Sequence, residues 1–122
     1  MKFLSIFDPE SRTPRLREDL ATLDPALADR VASYLEAGSI ILRTTQLVPD
    51  AARPEDHTPV VPISTRSDGT YVWSEAVPYY VRTYHVSPGH DFLAHLESQG
   101  WEAAALSADE VASVSEALRR RS

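Results

Sequence analysis

The chain of 122 residues contains no cysteine. That excludes disulfides, thiolate metal sites, iron–sulfur clusters and cysteine nucleophiles together. Glycine is scarce: Gly38, Gly69, Gly89 and Gly100 are the four present, and none falls in a G-x-G-x-x-G or phosphate-loop spacing. Backbone amides therefore have little means of closing around a phosphate, which excludes the common nucleotide-handling enzymes. No serine stands in a nucleophile-elbow pattern. Of 12 basic residues 11 are arginine and only Lys2 is lysine. With abundant alanine, this is the usage of high-GC genomes and points to an actinobacterial source. Apolar runs are short, as where Ile40-Ile41-Leu42 ends at Arg43. Nothing reaches the length of a membrane span. The apolar stretch after Lys2 is too short for a signal-peptide core, so the expected compartment is the cytoplasm.

What is present describes an ordinary globular protein. At 13.5 kDa, with 43% hydrophobic and 25% charged residues, the chain reads as a single domain, 1–122, able to bury a core. The net charge is −6, unevenly spread: residues 50–110 carry ten acids against three bases. Such a surface repels nucleic acid and anionic lipid and favours a basic protein partner.

The order of elements follows from local signals. Thr13-Pro14 reads as a helix start, and Leu16, Leu20 and Leu23 share one side of a helix over about 14–22. Asp24-Pro25 repeats the signal for a helix over about 25–37, with Leu27, Val31, Tyr34 and Leu35 inward and Gly38 as its left-handed stop. Residues 39–48 are rich in β-branched types and read as one strand. Pro49, Pro54 and Pro59 then mark a long exposed loop over about 49–59 carrying Asp50, Glu55 and Asp56. Val60–Arg66 and Thr70–Trp73 flank Ser67-Asp68-Gly69 and predict an antiparallel hairpin. Ser74 caps a helix with Val77, Tyr80, Val81 and Tyr84 on one face, Ser87-Pro88 opens another with Phe92, Leu93 and Leu96, and Ser107 with Glu110 forms a capping box for the last. The expectation is an α+β fold: a small antiparallel sheet of about three strands, with helices from both ends of the chain packed on it.

Candidate chemistry is thin. His85, His90 and His95 fall within eleven residues, but His90 and His95 are five apart, a spacing that turns helical side chains away from each other. They read as surface or turn histidines; a small metal-dependent enzyme using His90, Asp91 and His95 is the alternative. Asp68-Gly69 reads as a turn rather than a catalytic base. No catalytic residue, metal ligand or cofactor is expected. The densest feature is aromatic: Tyr71, Trp73, Tyr79, Tyr80 and Tyr84 lie within fourteen residues. Periodicity buries Tyr80 and Tyr84 and leaves Tyr79, with Tyr71 or Trp73, facing out beside Asp68 and Glu75. That combination reads as a protein-binding surface.

The run Arg66-Ser67-Asp68-Gly69-Thr70-Tyr71-Val72-Trp73-Ser74-Glu75-Ala76-Val77-Pro78-Tyr79-Tyr80-Val81 follows Val60-Val61-Pro62 and precedes Phe92-Leu93-Ala94-His95-Leu96. Over roughly residues 39–101 this resembles small actinobacterial proteins bearing an R-T-D-G-x-W-V-W-x-x-A-x-x-Y-Y-L pattern, with Ser67 replacing threonine and Tyr71 replacing tryptophan. Those proteins resemble the immunity class that neutralises secreted polymorphic toxins by binding. The resemblance implies a non-enzymatic protein that occludes a cognate toxin with a basic cleft, such as a nuclease or an NAD- or nucleotide-targeting toxin. Asp50, Glu55, Asp56, Asp68 and Glu75 would supply charge, and Tyr71, Trp73 and Tyr79 the anchors. A regulatory partner-binding subunit is a further alternative.

Overall fold

A computed structural model describes residues 1–121. The fold is α+β, with two separate sheets and four helices among the described residues. Helix α1 (Pro25–Glu36) starts as its sequence predicts: Asp24 accepts the Leu27 amide at 3.0 Å and Pro25 occupies the first turn, where no amide is needed. Its buried face is Ala28, Val31, Ala32, Tyr34 and Leu35, with Leu27 half-buried. Gly38 follows, but not as a left-handed stop, since its φ is not positive. It is there because a Cβ would lie 2.6 Å from Trp73 Cζ2.

The expected helix over 14–22 does not form. Leu16 pairs with Phe7 and Thr22 with Val86 in isolated bridges, while the Arg17 amide donates to the Ile6 carbonyl at 2.9 Å. A nine-residue helix closed off by Pro25 gains few internal bonds for its nucleation cost. Distant backbone groups satisfy these amides instead, and an extended path still packs Leu16 and Leu20 against the core and buries Leu23.

The main sheet has the order β1-β6-β5-β2, built from β1 (Lys2–Phe3), β2 (Ser39–Leu42), β5 (Thr65–Ser67) and β6 (Tyr71–Ser74). The β5–β6 hairpin turns at Asp68-Gly69-Thr70, and β2 pairs antiparallel to β5. β1 runs parallel to β6, so the sheet is mixed rather than antiparallel throughout. A two-residue strand is too short to show alternation in sequence. A second, two-stranded sheet pairs β3 (Leu47–Pro49) with β4 (Pro59–Pro62).

The single strand expected over 39–48 is therefore two, and its partner Val60–Arg66 is likewise split. The chain changes sheets at Thr44 and Ser64. There the Ser64 hydroxyl accepts the Thr44 amide at 2.9 Å and donates to the Thr44 carbonyl at 3.0 Å, replacing ladder bonds lost at the break.

Helix α2 (Ala76–Tyr84) buries Val77, Tyr80 and Val81, and Ser74 accepts the Ala76 amide at 3.1 Å. Arg82 ties α2 to α1 through Asp29 and Glu36. Helix α3 (His90–Ser98) buries Phe92 and Leu96. Helix α4 (Ala108–Arg121) opens on the reciprocal capping box of Ser107 and Glu110, with bonds of 3.1 and 3.2 Å. It packs on β2, and Arg121 sits 3.9 Å over the Phe3 ring. Phe3 pairs with Val72, so α4 reaches the sheet face opposite Tyr71 and Trp73. Among the described residues no helix is long and apolar enough to cross a membrane.

Candidate functional site

Two aspartates that sequence placed on the surface are buried, and each is the hub of a cluster. Asp50, at the start of the proline-rich loop, is 6% exposed. Tyr79 and Tyr84, five residues apart on α2, donate to its Oδ2 at 2.8 and 2.6 Å, and the Ala52 amide donates to Oδ1 at 2.8 Å. The next amide, Ala51, donates to the Tyr80 hydroxyl at 2.7 Å. Burial pushes the Asp50 pKa up, but the bonds from Tyr84, Ala52 and Tyr79, with Arg53 nearby, more than offset it and hold the carboxyl below its usual range. Tyr79 is pushed up to about 12 by desolvation and by its bond to Asp50.

Asp68, in the β5–β6 turn, is equally buried. Its Oδ1 accepts the Thr70 and Tyr71 amides at 3.0 and 2.8 Å, which shapes the turn. Its Oδ2 accepts Tyr34 of α1 at 2.5 Å and meets His95 Nε2 of α3 at 2.6 Å. Burial raises this carboxyl's pKa, and the bonds from Tyr34, Tyr71, His95 and Thr70 bring it below the usual value. The carboxylate is an acceptor only, so His95 Nε2 carries the hydrogen between them. Tyr34 is held well above the ordinary phenol value, first by desolvation and then by Asp68. The Asp68 side chain is only 1% exposed and His95 11%, and the triad ties the β5–β6 turn to α1 and α3.

The other expected partner-binding residues separate into two groups. Tyr71 and Trp73 are buried, which corrects the expectation that one of them faces out. Strand β6 is interior to its sheet and covered on both faces, so alternation does not expose either side. Tyr71 lies edge-on to Phe92 at 4.9 Å, and Trp73 donates its indole hydrogen to the Leu35 carbonyl at 3.1 Å. Glu75 is half-buried and paired with Arg66 at 2.8 Å. Asp50 and Asp68 likewise cannot serve as surface charges, because their oxygens are already committed to the fold. Glu55 and Asp56 are exposed as expected, and Tyr79 is half-buried.

His90 and Asp91 do not join His95. Their side chains are 96% and 98% exposed, while His95 is turned inward to Asp68. Among the described residues no three histidine, aspartate or glutamate side chains are placed to hold one metal ion.

The structure also adds residues that sequence did not single out. Leu47 and Val60 are exposed on the β3–β4 ribbon, at 46% and 44%. Tyr34 and Tyr84, read in sequence only as core, and His95, read only as a surface or metal-site candidate, are the partners of the buried carboxylates. A signal for these existed, since a tyrosine on a buried helical face needs a partner for its hydroxyl. The loop is built of two successive turns, closed by the Arg53 amide to Asp50 and the Asp56 amide to Arg53. It overhangs a groove of about 690 Å³. Comparison with protein-family models, with curated proteins and with solved structures finds no match to this chain.

Proposed function

We propose that this is a non-catalytic binding protein that covers the basic cleft of a partner protein, in the manner of an immunity protein neutralising a secreted toxin. The observation that carries this reading is the exposed loop bearing Glu55 and Asp56 on a root locked by buried Asp50. Backbone and side-chain hydrogen bonding by Thr58 lowers the Asp56 pKa, so this acid keeps its charge at neutral pH. A pre-set loop loses less conformational freedom on docking than a mobile one, and its charge speeds encounter with a basic surface. Val60 and the exposed part of Tyr79 supply apolar contact beside Asp56, and Leu47 is exposed further along the same ribbon. They take the anchoring role that buried Tyr71 and Trp73 cannot fill. The sequence resemblance over residues 39–101 points the same way.

The test starts with capture from the native host at low salt, using tagged chain and a Glu55→Lys/Asp56→Lys variant side by side. Retention of a toxin's C-terminal domain by the parent chain, with loss by the variant, supports the reading. With the partner in hand, stopped-flow association should show a salt dependence that the variant weakens. Equal association rates for both chains at every ionic strength would remove the loop from the interface.

A further inference from the structure

The groove beneath the loop is largely apolar and shares Asp56 with the exposed acidic surface. Phe7, Val48, Ala51, Val61, Ile63 and Tyr80 supply its apolar wall, drawn from the N-terminal segment, both strands of the ribbon and α2. Its volume of about 690 Å³ lies within the range of small-molecule sites, and its balance of many apolar walls to few polar groups is theirs too. The ring of Phe7 packs edge-on to Tyr80 at 5.5 Å, and the Tyr80 hydroxyl is fixed by Ala51, so one wall is rigid.

The rim decides what kind of molecule fits. Asp50, Arg53, Asp56 and His57 all border the opening. The Asp50 oxygens are occupied by Tyr79, Tyr84 and Ala52, and one Asp56 oxygen by the Thr58 amide. The Arg53 guanidinium and the His57 imidazole make no hydrogen bond among the described residues, although Arg53 lies near enough to Asp50 and Asp56 to help lower both carboxyl pKa values. The rim therefore offers unused donors. An anionic head would face the Asp50 and Asp56 charges, and a cationic head would face Arg53. A neutral carbonyl accepts from Arg53 without meeting a like charge. We propose that this groove binds an uncharged, predominantly apolar small molecule whose polar end is a carbonyl-type acceptor hydrogen-bonded by Arg53. This site stands independently of the partner-binding reading, since it needs neither Glu55 nor a basic protein.

Three probes of equal chain length separate the possibilities: 2-nonanone, nonanoate and nonylammonium, each titrated into isotope-labelled protein and followed by amide chemical shifts. The expected result is saturable 2-nonanone binding with shifts centred on Ala51, Val61, Ile63 and Tyr80. Both charged probes should bind several-fold more weakly. Arg53→Gln, at an exposed position where folding is not at stake, should weaken 2-nonanone about fivefold, the loss of roughly one hydrogen bond. Ile63→Trp should abolish binding by filling the groove. Equal binding of all three probes, tighter nonylammonium or nonanoate, an unaltered Arg53→Gln variant, or shifts lying elsewhere would each overturn the proposal.

Discussion

Tyr84 donates its hydroxyl to Asp50 at 2.6 Å across 34 residues of chain, joining the last turn of a helix to the first residue of a proline-rich loop. Tyr79, one and a half turns earlier, donates to the same oxygen at 2.8 Å. The loop is exposed along its length and fixed at its root. Its position is therefore set by α2, although the two segments lie far apart in sequence.

Replacing Asp50 by Asn should release the loop. The amide keeps one acceptor but cannot present an ionised oxygen to two hydroxyls, so stability should fall by roughly 2 kcal/mol. Amides of residues 51–58 should lose protection from hydrogen exchange. Unchanged protection there would show that the turns hold the loop without Asp50.

The Asp68 cluster should make stability pH-dependent in one direction. Its folded pKa is depressed, so its contribution is complete above the unfolded carboxylate value of about 4 and is lost as pH falls through the lower folded value. Asp50 adds in the same sense. Urea unfolding of the parent chain should weaken steeply on going below about pH 4. Asp68→Asn should cost roughly 3 kcal/mol at neutral pH and flatten the acid limb. An acid limb identical to the parent's would remove Asp68 as its source.

The phenols carry a spectroscopic signature. Tyr34, Tyr79, Tyr80 and Tyr84 should all ionise above the ordinary phenol value, Tyr79 at about 12. For Tyr79 and Tyr80 the leading cause is desolvation, and for Tyr84 it is the bond to Asp50. Ultraviolet titration of Asp50→Asn should therefore bring Tyr84 down further than Tyr80. Coincident titration curves for parent and variant would contradict the cluster.

Gly38→Ala should be destabilising by about 2 kcal/mol, although Ala is the better residue for a helix end by propensity. The added methyl would lie 2.6 Å from the Trp73 ring and 3.3 Å from the Ser67 carbonyl oxygen, both inside the core. Shifted tryptophan emission should accompany the loss. A neutral or stabilised variant would mean that Trp73 yields at little cost.

Much of the fold was legible where a signal and its partner lie within four residues. Asp24-Pro25 opened α1, Ser107 with Glu110 opened α4, and Asp68-Gly69 placed the β5–β6 turn. The same kind of signal misled at Thr13-Pro14, because the helical spacing of Leu16, Leu20 and Leu23 is local, while the bonds of this segment to Ile6, Phe7 and Val86 come from elsewhere in the chain. Of the site, Glu55 and Asp56 were legible because no side-chain donor from a distant element reaches them and they stay exposed. Tyr71 and Trp73 were misplaced because alternation assumes an open face, and β6 has none.

By itself the sequence determined the starts of α1 and α4, the β5–β6 hairpin, the charge imbalance and the absence of thiol chemistry, since each depends on residue type and short spacing. Only the tertiary structure decided which carboxylates stay free. Asp50 and Asp56 sit in one loop with the same local turn chemistry, yet Asp50 meets two tyrosine hydroxyls from α2 and is buried, while Asp56 meets none and remains exposed. Burial of a charge depends on donors brought from distant segments, and local spacing does not record where those segments pack.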